Sequence, residues 1–225
     1  MLSLLLIRHG ETDWNDSQRI QGQTDIPLNT AGIAQAKTLV PVMQELLSGS
    51  SVPTTIFSSP LKRAFQTAEI AVNGLAPITP DDQLMEINYG RWVGLDGPTL
   101  EQSFPEECEQ WFRQFNREYC PHGGESRADL SRRVEKFHQA VILPHINDSN
   151  KRIILFTHGG LISAYLNVLL QCNARFSTGN VSLTELLLKP QAIPHLHQFN
   201  VQADIGFSPY SIIEKGQHNP KNKKI

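Results

Sequence analysis

Four short stretches of the chain carry side chains with the types and spacing to do chemistry. They are Arg8 and His9 in "LLLIRHGETDWN", Arg63 in "SSPLKRAFQTA", Glu86 in "LMEINYGRWVG" and His158 in "FTHGG". Two imidazoles, two guanidiniums and a carboxylate suit an anionic substrate. A neutral imidazole is a nucleophile when a backbone carbonyl holds its other ring nitrogen as N–H. Nearby cations lower its pKa and favour that neutral form. Guanidinium groups grip phosphate oxygens with forked hydrogen bonds, and the helix N-terminus expected after Ser59 adds aligned N–H donors. These parts together fit phosphoryl transfer to a histidine.

Taken singly, each residue has an ordinary reading. Arg8 and His9 could close a strand, Arg63 could ride a solvated helix face, Glu86 could lie exposed in a loop, and His158 could sit in a turn. The functional reading depends on where the elements put them. Apolar runs at 2–7, 54–59 and 152–160 are short and nearly continuous, as strands buried on both faces are. Each is followed by a helical pattern. "TAGIAQAKTLVPVMQELL" has Thr30 as its expected N-cap and a kink or a break expected at Pro41. "PLKRAFQTAEIA" opens with Pro60 in its first turn and Ser59 as cap, and its apolar stripe turns Arg63 off the core face. Residues 100–145 read as a mostly helical insertion, and 182–189 and 195–200 as late strands. Such alternation predicts an α/β fold, three layers with a mainly parallel central sheet between helices. Ligands of such sheets sit beyond the carboxyl ends of the strands. Arg8 and His9, Arg63 and His158 each follow a strand, so one crevice would receive them all.

At 225 residues, with 40 % apolar and 19 % charged residues, the chain suits one globular domain, expected over 1–213 with a polar tail at 214–225. A net charge of -2 gives no electrostatic case for nucleic acid. No segment is long enough to span a bilayer, and "MLSLLLI" lacks the basic start of a secretory leader. Three unspaced cysteines read as reduced thiols in a cytoplasmic protein. Among the eight histidines there is no HExxH, and His195 and His197 alternate on an expected strand as a surface face. No metal is therefore assigned. GxxxxGK[ST] and GxGxxG are absent, so no glycine loop cradles a nucleotide. Trp111, Phe112 and Phe115 read as core of the inserted helices.

The ordered motifs "LIRHGETDWN", "SSPLKRAFQTA", "LMEINYGRWVG" and "FTHGG" resemble the histidine phosphatase superfamily, also called phosphoglycerate mutase-like, over roughly residues 4–204. "QGQTDIPLNTAG" and "HLHQFN" are similar to further family segments. The resemblance implies that His9 is phosphorylated, with Arg8, Arg63 and His158 holding the phosphoryl oxygens. Asn15, Gln21, Gly22 and Gly159 would be further substrate contacts. Glu86 would act as general acid and then general base, within a partly apolar pocket of Leu84, Met85, Ile87 and Trp92 that keeps it protonated. No cofactor is implied. The expected partner is a small phosphorylated metabolite such as a sugar phosphate, phosphoglycerate, phosphoserine or α-ribazole phosphate; a homodimer stays open. Family mutases carry a basic segment after the acid that grips a carboxylate, whereas "INYGRWVGLDG" here leads into an acidic run. That departure, with "HGGES" at 122–126 and Arg132-Arg133 shortly after, resembles the phosphatase branch. The alternatives are a cofactor-dependent phosphoglycerate mutase and an inactive relative that only binds phosphorylated ligands.

Overall fold

The computed structural model describes residues 1–148 and 150–203. Six strands form one sheet: β1 (Leu2–Arg8), β2 (Thr54–Ser58), β3 (Ile78–Pro80), β4 (Lys151–Thr157), β5 (Leu183–Leu188) and β6 (His195–Val201), in the spatial order β3-β2-β4-β1-β5-β6. The first four in that order are parallel, and β5 and β6 complete one edge antiparallel. The mainly parallel α/β sheet expected from the sequence is the one found. Helices are α1 (Asp13–Asp16), α2 (Thr30–Thr38), α3 (Val40–Leu47), α4 (Lys62–Val72), α5 (Gly97–Ser103), α6 (Pro105–Cys108), α7 (Arg127–Phe137) and α8 (Gly159–Leu170). The region between Trp92 and β4 is largely helical, as its amphipathic pieces predicted. The tail expected at 214–225 lies outside the described residues.

Side chains of a strand alternate between the two sheet faces, which explains the unbroken apolar runs. In β1, Leu4 and Leu6 join Ile153, Leu155, Phe137 and Tyr165 on one face. Leu5 and Ile7 join Ile154, Phe156, Met43 and Ala68 on the other. Both faces are thus covered. Pro41 does break the helical pattern: α2 ends at Thr38 and α3 begins at Val40, with Pro41 in its first turn. Asn29, not Thr30, caps α2, its Oδ1 accepting from Gly32 N–H at 2.7 Å. Asparagine is the stronger of two adjacent capping candidates, and that contest was decided one residue upstream.

The strand order decides which loops meet. β4 lies between β2 and β1, so the residues just beyond these three strands are neighbours. His9 N–H donates to Thr157 O at 2.9 Å and Ser59 N–H to Phe156 O at 2.9 Å, extending both ladders by one residue.

Candidate active site

Neighbouring strands lie about 4.8 Å apart. The His9 and His158 ring centroids are 5.1 Å apart, which is one strand spacing at the sheet's carboxyl edge. Gly10 permits the turn out of β1. A Cβ there would stand 2.7 Å from the Gly32 carbonyl oxygen, so only glycine lets the two backbones meet. The turn is pinned to α4, for Gly10 N–H donates to Thr67 Oγ1 at 3.0 Å.

Both histidines are buried. Nδ1 of His9 lies 2.6 Å from the Gly10 carbonyl oxygen, which can only accept, so Nδ1 carries the proton and Nε2 keeps its lone pair. Burial, then the charges of Arg63 and Arg8, hold the His9 pKa well below the usual histidine range. His158 is depressed for the same reasons, burial first and the Arg63 charge next. Its Nε2 lies 2.8 Å from Ser59 Oγ, and its Nδ1 is buried without a partner. The local sequence favours Ser59 as the cap of α4. Its hydroxyl accepts from Leu61 N–H at 3.3 Å, but the helix starts only at Lys62, and the hydroxyl instead meets His158.

Arg63 departs most from the sequence reading. It is 1 % exposed, not turned to solvent. The loop before α2 folds over it, so Nη2 donates to Gly22 O at 2.7 Å and Nη1 to Thr24 O at 2.8 Å. Its Nε stays buried and unpartnered. Burial brings its pKa down to about 10. Arg8 donates through Nη1 to Thr178 O, and its Nε is also buried without a partner. Nε of Arg8, Nε of Arg63 and Nδ1 of His158 are thus buried polar atoms with nothing to bond, a costly condition unless a ligand supplies acceptors.

Gln21, Gly22, Asn15 and Gly159 have mixed fates. Gly22 serves through its carbonyl, as the anchor of Arg63, and Gln21 Oε1 is buried and unpartnered. Asn15 is half of a capping box, its Oδ1 accepting from Thr12 N–H at 3.2 Å. Gly159 opens α8 beside Arg8 Nε. At the α4 N-terminus, expected to offer free N–H donors, the Lys62 N–H is already taken by Asp25, which accepts from it at 2.7 Å.

Glu86 stands over α8. Its Oε2 accepts from Gly160 N–H at 3.0 Å and its Oε1 from Ile87 N–H at 2.9 Å. Of its expected apolar surroundings, Ile87 lines the cavity with it, while Leu84 and Trp92 are buried in the core. Arg133, noted in the sequence only as a mark of the phosphatase branch, fixes this segment. It donates to the carbonyls of Gln83, Met85 and Glu86 at 2.8, 2.6 and 3.2 Å and pairs with Glu125 at 3.0 Å. Arg8, Glu86 and Gly159 open onto a cavity of about 390 Å³. Phe112 and Phe115 line it rather than the core, whereas Trp111 is 2 % exposed and does both. Among the described residues, no group of three or more His, Cys, Asp or Glu side chains is placed to hold a metal ion.

A buried, neutral imidazole under the charges of Arg8 and Arg63, with their Nε atoms and Nδ1 of His158 left open and the Glu86 carboxylate acting on both arginines, suits phosphoryl transfer. Known proteins point the same way. The chain belongs to the histidine phosphatase superfamily, branch 1, whose family model matches residues 4–202. It is similar to phosphoserine phosphatase 1 of Hydrogenobacter thermophilus, 32 % identical over 221 residues, covering 90 % of this chain and 98 % of that one. It is 36 % identical over 163 residues to phosphoglycerate mutase-like protein 4 of Arabidopsis thaliana, covering 71 % of this chain and 67 % of that one. The structure of mycobacterial glucosyl-3-phosphoglycerate phosphatase with VO3 superposes with a TM-score of 0.75 at 29 % identity, covering 88 % of this chain and 98 % of that one. The chain is a phosphomonoester hydrolase of this superfamily. No described helix is long and apolar enough to cross a membrane.

Proposed function

We propose that the chain hydrolyses a small phosphorylated metabolite through a phosphohistidine on His9. Nε2 of His9 attacks phosphorus in line as the P–O bond to the leaving group breaks. Arg8, Arg63 and His158 stabilise the equatorial oxygens, filling their open Nε, Nε and Nδ1 positions. Nδ1 of His158 acts as a donor if Ser59 donates to its Nε2, the arrangement a neutral imidazole allows. Glu86 protonates the departing alkoxide, then takes a proton from the water that cleaves the N–P bond, and inorganic phosphate leaves. The observation that carries this reading is the His9 Nδ1 to Gly10 O bond of 2.6 Å, because it directs the lone pair of Nε2 outward. Cys108, Cys120 and Cys172 are free thiols, which supports the cytoplasm as the place of action.

Rapid quench with a labelled phosphomonoester, in EDTA, tests the reading directly. Acid-labile, base-stable label on His9 is expected, and no label in His9→Ala. Label on serine or aspartate, full activity of His9→Ala, or a need to restore a divalent metal would each refute it.

A further inference from the structure

The cavity beyond Glu86 is lined by three more arginines, Arg117, Arg127 and Arg175. They come from separate segments: Arg117 from the insertion, Arg127 from the first turn of α7, and Arg175 from the loop after α8. No basic run in the sequence announces them. Arg127 packs over the rings of Trp111 and Phe115, at 3.9 and 4.1 Å from their centroids, and its Nη1 donates to Trp111 O at 2.8 Å. Phe115 holds its place at φ 51°, a left-handed conformation that a bulky residue rarely takes. Arg117 donates to Ser131 Oγ at 2.9 Å. Arg175 is exposed at the cavity rim, 5.9 Å from the Phe112 ring centroid.

Among the described residues, no carboxylate forms an ion pair with any of the three. Of the described residues lining the cavity, Glu86 is the only acidic one, and its proposed work is to move a proton. Arg8 with these three gives four guanidiniums against one carboxylate, a local excess of positive charge in a chain whose net charge is -2. Burial, opposed by Tyr89 and reinforced by repulsion from Arg175, brings the Arg127 pKa down to about 10. One phosphoryl group already has Arg8, Arg63 and His158.

We infer that the leaving group carries a second anionic group, a carboxylate or a second phosphate, which Arg127 and Arg175 take up while Arg8 holds the phosphoryl end. Planar guanidiniums present paired N–H donors suited to either anion. This inference rests on the phosphatase reading and refines its substrate class.

The test compares kcat/KM within pairs of substrates that differ in the second anion. One pair is 3-phosphoglycerate and glycerol 3-phosphate, for a carboxylate. The other is fructose 1,6-bisphosphate and fructose 6-phosphate, for a second phosphate. A preference on the order of 10- to 100-fold for the anionic member is expected in at least one pair, the strength of charge-assisted hydrogen bonds. The pair that shows it identifies the anion. Arg175→Gln, and Arg127→Lys in case the stacked site tolerates no larger change, should shrink that ratio at least several-fold. The loss should fall mainly in KM. No preference in either pair, or a ratio unmoved by both variants, overturns the inference while His9-dependent hydrolysis leaves the phosphatase reading intact. Hydrolysis that persists in His9→Ala would instead overturn that reading.

Discussion

Gly160→Ala is a sharp way to probe Glu86, because it moves the carboxylate without removing any ionisable group. A Cβ at position 160 would stand 2.4 Å from Glu86 Oε1 and 3.1 Å from its Cδ. Ordinary contact begins at 3.4 Å, so the carboxylate must retreat by about 1 Å. A misplacement of about 1 Å can cost on the order of 100-fold in rate, within the 10²–10⁴-fold range of general acid catalysis. That loss should appear only where a proton is needed. An alkoxide is a poor leaving group, whereas nitrophenolate leaves nearly unaided. With an alkyl phosphate, phosphorylation of His9 in Gly160→Ala should slow by on the order of 100-fold. With p-nitrophenyl phosphate the same step should stay within about tenfold of wild type. Water attack on the intermediate also needs Glu86, so stopped-flow traces should show a nitrophenol burst near one equivalent, followed by slow turnover. Glu86→Gln should give the same signature. Folding offers a control: Gly160 lies in the first turn of α8, where alanine gains up to about 1 kcal/mol in helix propensity. The melting temperature should therefore not fall. Equal losses for both substrates in the first step, in either variant, would remove Glu86 from the acid role.

Three further outcomes are expected. His9 and His158 have native pKa values well below 6.5, so the unfolded chain binds more protons than the native one as pH drops below about 6.5. Unfolding free energy should then fall with pH by up to about 1.4 kcal/mol per pH unit for each histidine. His138, pushed by burial to about 4, adds to the effect. Urea midpoints that stay level from pH 7.5 to 5.5 would contradict the buried neutral pair. Arg133→Ala should cost on the order of 2–3 kcal/mol, because it strands three carbonyls and Glu125. It should also reproduce the leaving-group dependence of Glu86→Gln; a stability loss with no such dependence would make Arg133 purely structural. Finally, 3-phosphoglycerate with a trace of 2,3-bisphosphoglycerate should release phosphate faster than it forms 2-phosphoglycerate, and the reverse order would make the chain a mutase.

The sequence by itself determined the sheet and the edge of it that matters. Continuous apolar runs such as "LSLLLI" leave no polar face, so they must be covered on both sides, and that alone places the residues after them at the carboxyl edge. Arg8, His9 and His158 were legible for this reason. Periodicity also located α2, α3 and the break between them, though it could not choose between Asn29 and Thr30 as cap. What the tertiary structure decided was everything that depends on a distant backbone arriving. Helical spacing put Arg63 on the outer face of α4, and that face is outer only until residues 21–24 fold across it and offer their carbonyls. Asp25, carried by the same loop, takes up the first N–H of a helix N-terminus that local sequence left open. Arg133 reaches the Glu86 segment from nearly fifty residues away, and Arg117, Arg127 and Arg175 share one cavity although no two are neighbours in the chain. Local pattern encodes how much surface each element must bury. Which polar groups then meet across the buried space depends on the packing of whole elements, and no window of sequence contains it.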